Sequence, residues 1–421
     1  MNERSFSVNG ISIYSLTNPN LRSFCLSLYV RAGSIFEDIS NNGISHLFEH
    51  VVFRNLKNKY ENFYELLAMH GLCFQGSTYK KFVSFTIDGP QHEFDFAIEI
   101  LCGLFDEIKL TSHDFNNEKG RIKAEIREKD RRSSLDFYFD SIVWKNSEVE
   151  KIVLGYCKTV DRVSVKKINE FRQKVLSAGN CFVYATGNIS DENLDVLNKK
   201  ISKLDICQSD PGFTNTVTVN DEFFHREKKI WIKNNYWYYI QMGFDVDCSK
   251  YPGGVYDLLY ALLFNGDKAL VYNYLSEDNP IIYSYDSAFA QYDNVGNINF
   301  SFEVDRNKIE DVFKTVVELL NAAKDGRFNF EANLNYEMFN WELDLDKPSN
   351  LNWNMAYYNH ILKTEPIDYS DEFYSRFRVT KKQVTDAAKD IFKRCNMTVA
   401  MEGDKKKINT DAIEKILESL D

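Results

Sequence analysis

The chain has 421 residues, of which 44% are hydrophobic and 27% charged; this composition describes a folded globular protein and excludes disordered and fibrous classes. That length exceeds what one core ordinarily supports, so two or more domains are expected. A formal net charge of -11 weighs against a nucleic-acid partner, because phosphate binding draws on a surplus of Lys and Arg.

No secretory-signal pattern opens the sequence, and no run approaches the eighteen or so apolar residues of a membrane-spanning helix. The expected compartment is therefore the cytoplasm, with no membrane span. The eight cysteines are scattered singly, without a C-x-x-C pair, which is the pattern of reduced thiols rather than of a disulfide framework or a cysteine zinc site.

In chain order, Leu26 to Val30 reads as a strand, followed by a histidine-bearing segment, Gly43 to His50, with helical spacing. Val83 to Ile87 reads as a second strand. Phe94, Ala97, Ile98, Leu101 and Leu104 then form one apolar face of a helix. Thr111 and Asp114 make a capping box for a further helix running to about Arg131.

One pattern then occurs twice, 216 positions apart. The first copy begins at Val163-Ser164 and ends in Asn180-Cys181-Phe182-Val183-Tyr184-Ala185-Thr186-Gly187; the second begins at Val379-Thr380 and ends in Asn396-Met397-Thr398-Val399-Ala400-Met401-Glu402-Gly403. In both, a Ser or Thr stands where a helix N-cap belongs, apolar residues recur at three and four, and a β-prone run ends at glycine. Two similar units follow, with the seam at Ser209-Asp210-Pro211-Gly212. The expected domains are 1–210, carrying the metal and the chemistry, and 211–421, a related domain without the metal motif.

The segment Gly43-Ile44-Ser45-His46-Leu47-Phe48-Glu49-His50 is an H-x-x-E-H motif. Two histidines four apart share one helix face and reach one ion, and Glu49 stands beside them. Imidazole suits zinc, and two nitrogens plus one distant carboxylate leave a coordination position for water. The carboxylate has three candidates, Glu118, Glu125 and Glu128, on one side of the helix after Thr111.

Together these features resemble the insulinase or pitrilysin family of inverted-motif zinc peptidases, in particular its small two-domain members, which include the mitochondrial processing peptidase subunits. Arg31-Ala32-Gly33-Ser34, Gly43 to Phe53, Gly71, Gly76-Ser77-Thr78, Glu118 with Glu125-Ile126, and Gln241-Met242-Gly243-Phe244 follow the family's order and spacing. Gln75 and Gly76 replace the asparagine and alanine of its N-A-x-T strand. The resemblance implies an α+β fold of two similar α/β domains, each a largely antiparallel sheet packed with helices, forming a bowl-like half of a chamber. It implies one zinc per chain on His46, His50 and Glu125, with Glu49 as catalytic base and Glu118 supporting the ligands.

One departure concerns the second half. Where the family carries a substrate-binding arginine and, seven residues on, a tyrosine, this chain has Ser276 and Tyr283. Tyr283 is the candidate substrate or oxyanion contact, and a partner would supply the complete Arg/Tyr pair. At the repeat offset, His46, Glu49 and His50 fall on Leu262, Asn265 and Gly266. The expected function is a zinc endopeptidase for short or unfolded peptides, working in a heterodimer with a homologous chain, or in a homodimer, possible roles including leader or precursor processing. The alternative is a zinc-retaining peptide-binding or structural subunit with little activity.

Overall fold

In the computed structural model, residues 3–132, 134–209, 212–213, 217, 222–225, 227–362 and 377–420 are described. Asp210 and Pro211, at the expected seam, lie outside them. The repeat appears as two sheets. The first has the order β1 (Arg4–Val8), β2 (Ile11–Thr17), β6 (Cys181–Gly187), β3 (Ser23–Val30), β5 (Val83–Pro90), β4 (Cys73–Thr78). The second has the order β7 (Ile230–Asn234), β11 (Met397–Gly403), β8 (Tyr239–Asp247), β10 (Val295–Glu303), β9 (Asp286–Tyr292). Both are largely antiparallel, and each has one parallel pair, β2 with β6 and β7 with β11.

The repeat extends to individual hydrogen bonds. The helices Val165–Val175 and Lys381–Ile391, like the strands β6 and β11, occupy ranges 216 positions apart. Ser164 Oγ accepts from the Lys167 N–H, and Thr380 Oγ1 from the Gln383 N–H. Each cap satisfies a donor that the first helical turn leaves unpaired. Asn180 Nδ2 donates to the carbonyls of Val175 and Arg31, and Asn396 Nδ2 to those of Ile391 and Asp245. The same side chain thus ties helix end to sheet in both copies.

The expected elements fall where periodicity placed them. The helix α1 spans Ile44–Lys59, α2 Phe63–Met69, α3 Phe94–Gly103, α4 Ser112–Arg132 and α5 Ser134–Val143. Phe94, Ala97, Ile98 and Leu101 are buried with β3 and β5 in the first core. At the start of α4, Asp114 N–H donates to Thr111 Oγ1 at 3.1 Å and Thr111 Oγ1 donates to Asp114 Oδ2 at 2.8 Å. The second domain has a core of its own around Phe244, Leu262, Phe300 and Phe313, so Leu262 is a core residue at the position matching His46.

The two domains exchange helices. Helix α5 of the first packs on β8 and β11 of the second, placing Leu135, Phe139 and Val143 in a cluster with Val295 and Ala400. A Cβ on Gly243 would stand 2.5 Å from the Phe139 ring, so the ring lies directly on the backbone of β8. Conversely, the helix Pro348–Met355 of the second domain packs on β3 and β6 of the first, with Leu351 and Met355 against Leu16, Tyr29 and Tyr184. There the buried Asn352 accepts from Tyr29 Oη at 2.9 Å and donates to the carbonyls of Tyr184 and Cys25. A buried amide satisfied on three sides fixes this docking, because losing a partner inside the protein costs the full desolvation of the group.

Phe139→Ala removes a ring from the α5 contact, and truncation of a buried Phe costs about 3–5 kcal/mol. The expected result in denaturant titration is a lowered midpoint for both domains together. A loss confined to one domain would contradict the coupling.

Candidate metal centre

The site begins with the anchoring of α1. Gly43 precedes the helix in the left-handed region at φ 94°, and a Cβ there would lie 2.7 Å from the Leu154 carbonyl, so glycine is required. Gly43 offers no side chain as a cap, and the buried carboxylate of Glu37 takes that place. Its Oε2 accepts from the Gly43 N–H at 2.7 Å and from Asn42 Nδ2 at 2.8 Å, while Oε1 accepts from the Ser45 N–H at 2.8 Å. A carboxylate here pairs orphan donors and faces the positive end of the helix dipole. Ser45 Oγ in turn accepts from the Gly33 N–H, tying the Arg31–Ser34 segment to the first turn.

From this turn His46 and His50 project with ring centroids 4.7 Å apart, edge to face. Glu125, on α4, reaches them from the other side. Its Oε2 lies 3.5 Å from His46 Nε2 and 3.9 Å from His50 Nε2, and one ligand atom from each of the three residues lies within 4.8 Å of the others. These separations exceed hydrogen-bond length. They fit donors sharing one ion, since two ligands about 2.0–2.1 Å from a tetrahedral zinc stand roughly 3.3 Å apart. The residues present therefore fit zinc, whose catalytic sites include two imidazoles with one carboxylate.

The two helices are pinned beside this point by Glu118. It is 2% exposed, accepts from Arg54 Nε at 2.7 Å, stands 3.4 Å from Arg121 Nη1, and faces His50 Nδ1 at 3.7 Å. Burial alone would raise its pKa, but His50, Arg54 and Arg121 outweigh it and hold the carboxyl below its ordinary value. Glu118 thus orients the ring of His50 from behind. Glu128 is exposed on α4 and stands outside the group. Spacing left three carboxylates open, and the structure separates them: Glu125 converges on the imidazoles, Glu118 backs His50, and Glu128 does neither.

Glu49 lies on the same cavity. Its Oε2 accepts from Thr78 Oγ1 of β4 at 2.7 Å. Burial raises its pKa, opposed by Thr78 and His50 and reinforced by Glu125, which is the direction a proton acceptor working near neutrality needs. A Cβ on Gly76 would come within 2.9 Å of Glu49 Cγ and 2.5 Å of the Phe53 ring. Glycine at this place in the strand therefore lets the Glu49 side chain lie on the backbone of β4.

The surrounding cavity measures about 590 Å³ and is also lined by Lys80, Asp140 and Glu150, residues to which no sequence motif pointed. Lys80 Nζ donates to the carbonyls of Val149 and Lys151, and burial lowers its pKa against the pull of Asp140 and Glu150. Burial raises the pKa of Asp140. Tyr283 is 97% exposed and lines a separate groove with Tyr236, Trp237 and Lys405. It follows the turn Asn273–Glu277, which carries Ser276, and within one chain it is not among the residues lining the metal cavity.

Burial, with His50 and Lys129 adding to it, lowers the pKa of His46 to about 3. Among the described residues its Nδ1 is buried without a hydrogen-bond partner, which also favours the uncharged ring. In the metal-free chain an NMR titration of the His46 ring should show no protonation step at the ordinary imidazole value of 6.5. A step there would place the ring in water.

Comparison with known proteins gives the family. Residues 13–155 match the family described as insulinase (peptidase family M16), and residues 162–332 match the peptidase M16 inactive domain. The second match begins before β6, a strand of the first sheet. An uncharacterized zinc protease of Bacillus subtilis, YmxG, is 21% identical over 75% of this chain and 77% of its own length. The mitochondrial-processing peptidase subunit beta of Saccharomyces cerevisiae is 23% identical over 44% of this chain, a stretch amounting to 41% of that relative. The crystal structure of a protease from Helicobacter pylori superposes with a TM-score of 0.83 at 18% identity, covering 96% of this chain and 99% of that one. With two matches of one family spanning most of both halves, the chain belongs to the insulinase family of peptidases, M16.

Proposed function

We propose that the chain is a zinc-dependent endopeptidase that cleaves short or unfolded peptides and works beside a homologous partner. The observation that carries this reading is the convergence of His46, His50 and Glu125 on one point, with Glu49 on the same cavity. His46, His50 and Glu125 would hold the ion, and Glu118 would orient His50. Zinc bound there would supply Lewis acidity, polarising a peptide carbonyl and easing deprotonation of water near neutral pH.

The chain's own residues do the remainder. Glu49, held by Thr78, takes the proton from the attacking water and returns it to the leaving amine. Strand β4 is the outer strand of the first sheet, so a substrate can add to it through main-chain pairing, with little demand on sequence. Gly76 and Thr78, which touch Glu49, belong to that strand and bring the paired peptide to the base.

A partner supplying an arginine and tyrosine pair is part of this reading. It is supported by Ser276 at the arginine position and by Tyr283 lying apart from the cavity; the paired-subunit name of the yeast relative points the same way. Leader or precursor processing is the substrate role we infer. All eight cysteines are free thiols, which supports a cytoplasmic setting, and no described helix is long and apolar enough to cross a membrane. The same Ser276 and Tyr283 observations favour a second reading, a subunit that binds zinc and peptide but turns over slowly.

Metal content and cleavage of unfolded peptides, with and without a homologous chain, separate the two. Glu49→Gln should keep one zinc per chain and lose about 10²–10⁴-fold in rate, the usual contribution of a positioned general base. Zinc binding without Glu49-dependent cleavage in any pairing would leave only the slow-subunit reading. Glu125→Gln should abolish zinc binding. Glu118→Gln should weaken it by about 10–100-fold, the typical effect of a group that orients a ligand, as measured by competition with a chelator.

A further inference from the structure

The metal cavity shares a wall with a second hollow of about 210 Å³. Thr78, Tyr79, Lys80 and Val153 line both. On its far side this hollow is closed by Phe82 and Tyr357 and, from the second domain's sheet, by Phe289, Ala290 and Tyr292 of the outer strand β9. Gln291 of β9 also lines it, while the polar ends of Lys80, Lys81 and Thr78 are bonded to other groups. Lys80 Nζ donates to the carbonyls of Val149 and Lys151, Lys81 Nζ pairs with Asp293 Oδ1 at 2.6 Å, and Thr78 Oγ1 donates to Glu49. What both lysines present to the hollow is their methylene stems.

Its walls are set by packing. Tyr79 stacks on Phe82 with centroids 4.5 Å apart and lies 5.2 Å from the Trp353 ring. Tyr292 packs edge-on against Trp144. Ala290 shares the Tyr292 face of β9, two residues along, and its single methyl leaves the space open. A cavity of roughly 150 Å³ lined by aliphatic and aromatic side chains holds a benzene molecule, so this one has room for a phenyl ring or a Leu or Met side chain.

Position gives the hollow a use. Tyr79 directly follows Thr78, the last residue of β4 and the one bonded to the catalytic-base candidate, and consecutive Cα atoms lie about 3.8 Å apart. A peptide running along β4 past Thr78 would therefore have one side chain beside the opening. We propose that this hollow is a substrate subsite that takes a large apolar side chain, Phe, Leu or Met, close to the bond being cut, and that β9 of the second domain sets its depth. The proposal rests on the peptidase reading above. It gives the domain without the metal motif a part in choosing the substrate.

Ala290→Phe fills the hollow from β9, with Ala290→Ser as the conservative control. Peptides carrying Phe or Ala at each position around the cleaved bond should show, in the wild type, a preference for Phe at one position of about tenfold or more in kcat/KM, as expected for an apolar pocket. Ala290→Phe should reduce that ratio to within about twofold, while Ala290→Ser retains it. An unchanged ratio in Ala290→Phe, or no preference in the wild type, would overturn the subsite and leave the peptidase reading standing. The same peptide pair is also titrated calorimetrically into the Glu49→Gln chain with and without Ala290→Phe. Loss of Phe-peptide binding on filling the hollow would support the subsite even if no pairing yields cleavage, a result that sinks only the peptidase reading. If Ala290→Phe does not reach the wild-type zinc content and thermal midpoint, Val153→Phe fills the hollow from the opposite wall under the same expectations.

Discussion

Everything at the metal centre depends on where α1 and α4 cross. Two imidazoles on one helix can meet a carboxylate on another only if the two axes are held to within a fraction of an ångström, since ligand distances tolerate little more. The hold is electrostatic and buried. Glu118 of α4 takes Arg54 of α1 in a 2.7 Å contact and stands against His50 of the same helix. An isolated carboxylate so far from water would be expensive, and its guanidinium and imidazole neighbours offset that cost. The pair therefore serves register more than stability: it fixes how far along α4 the next inward carboxylate, Glu125, emerges.

A second anchor sets the direction of α1. The loop before it bends back so that Glu37 meets the free N–H groups of Gly43 and Ser45, and Gly43 permits the left-handed turn that closes the bend. The base is positioned from outside the helix by Thr78 and by the bare backbone at Gly76. His46, His50, Glu125 and Glu49 are thus located by three separate elements, α1, α4 and β4, which pack around one core.

Much of this could be read from the sequence, for identifiable reasons. His46 and His50 are four residues apart on a helix, so their meeting follows from local geometry alone. The duplicated unit could be read because its cap and its asparagine each make a short-range bond, and they recur in register at Ser164 and Thr380 and at Asn180 and Asn396, with a glycine at 187 and 403. The choice among Glu118, Glu125 and Glu128 could not be made from spacing, because periodicity gives a face and not the tilt of that face toward another helix. Glu37 left no signal, since it acts as a cap from outside the helix. Lys80 and Asp140 meet at the metal cavity only because the segment after β4 and helix α5, sixty residues apart in the chain, line the same space, and the position of Tyr283 depends on a turn whose course no local pattern predicts.

The exchanged helices bear on how such a molecule could change over time. Helix α5 follows directly on α4, the element that carries Glu125, and it is seated not on its own sheet but on β8 and β11 of the other copy. The copy without a metal motif thereby supports the helix next to the one that carries Glu125. The two halves therefore constrain each other: Gly243 and Ala400 of one lie against Phe139 of the other, on the helix that follows α4. The half without the motif is not a spare copy, since its sheet is the seat of α5.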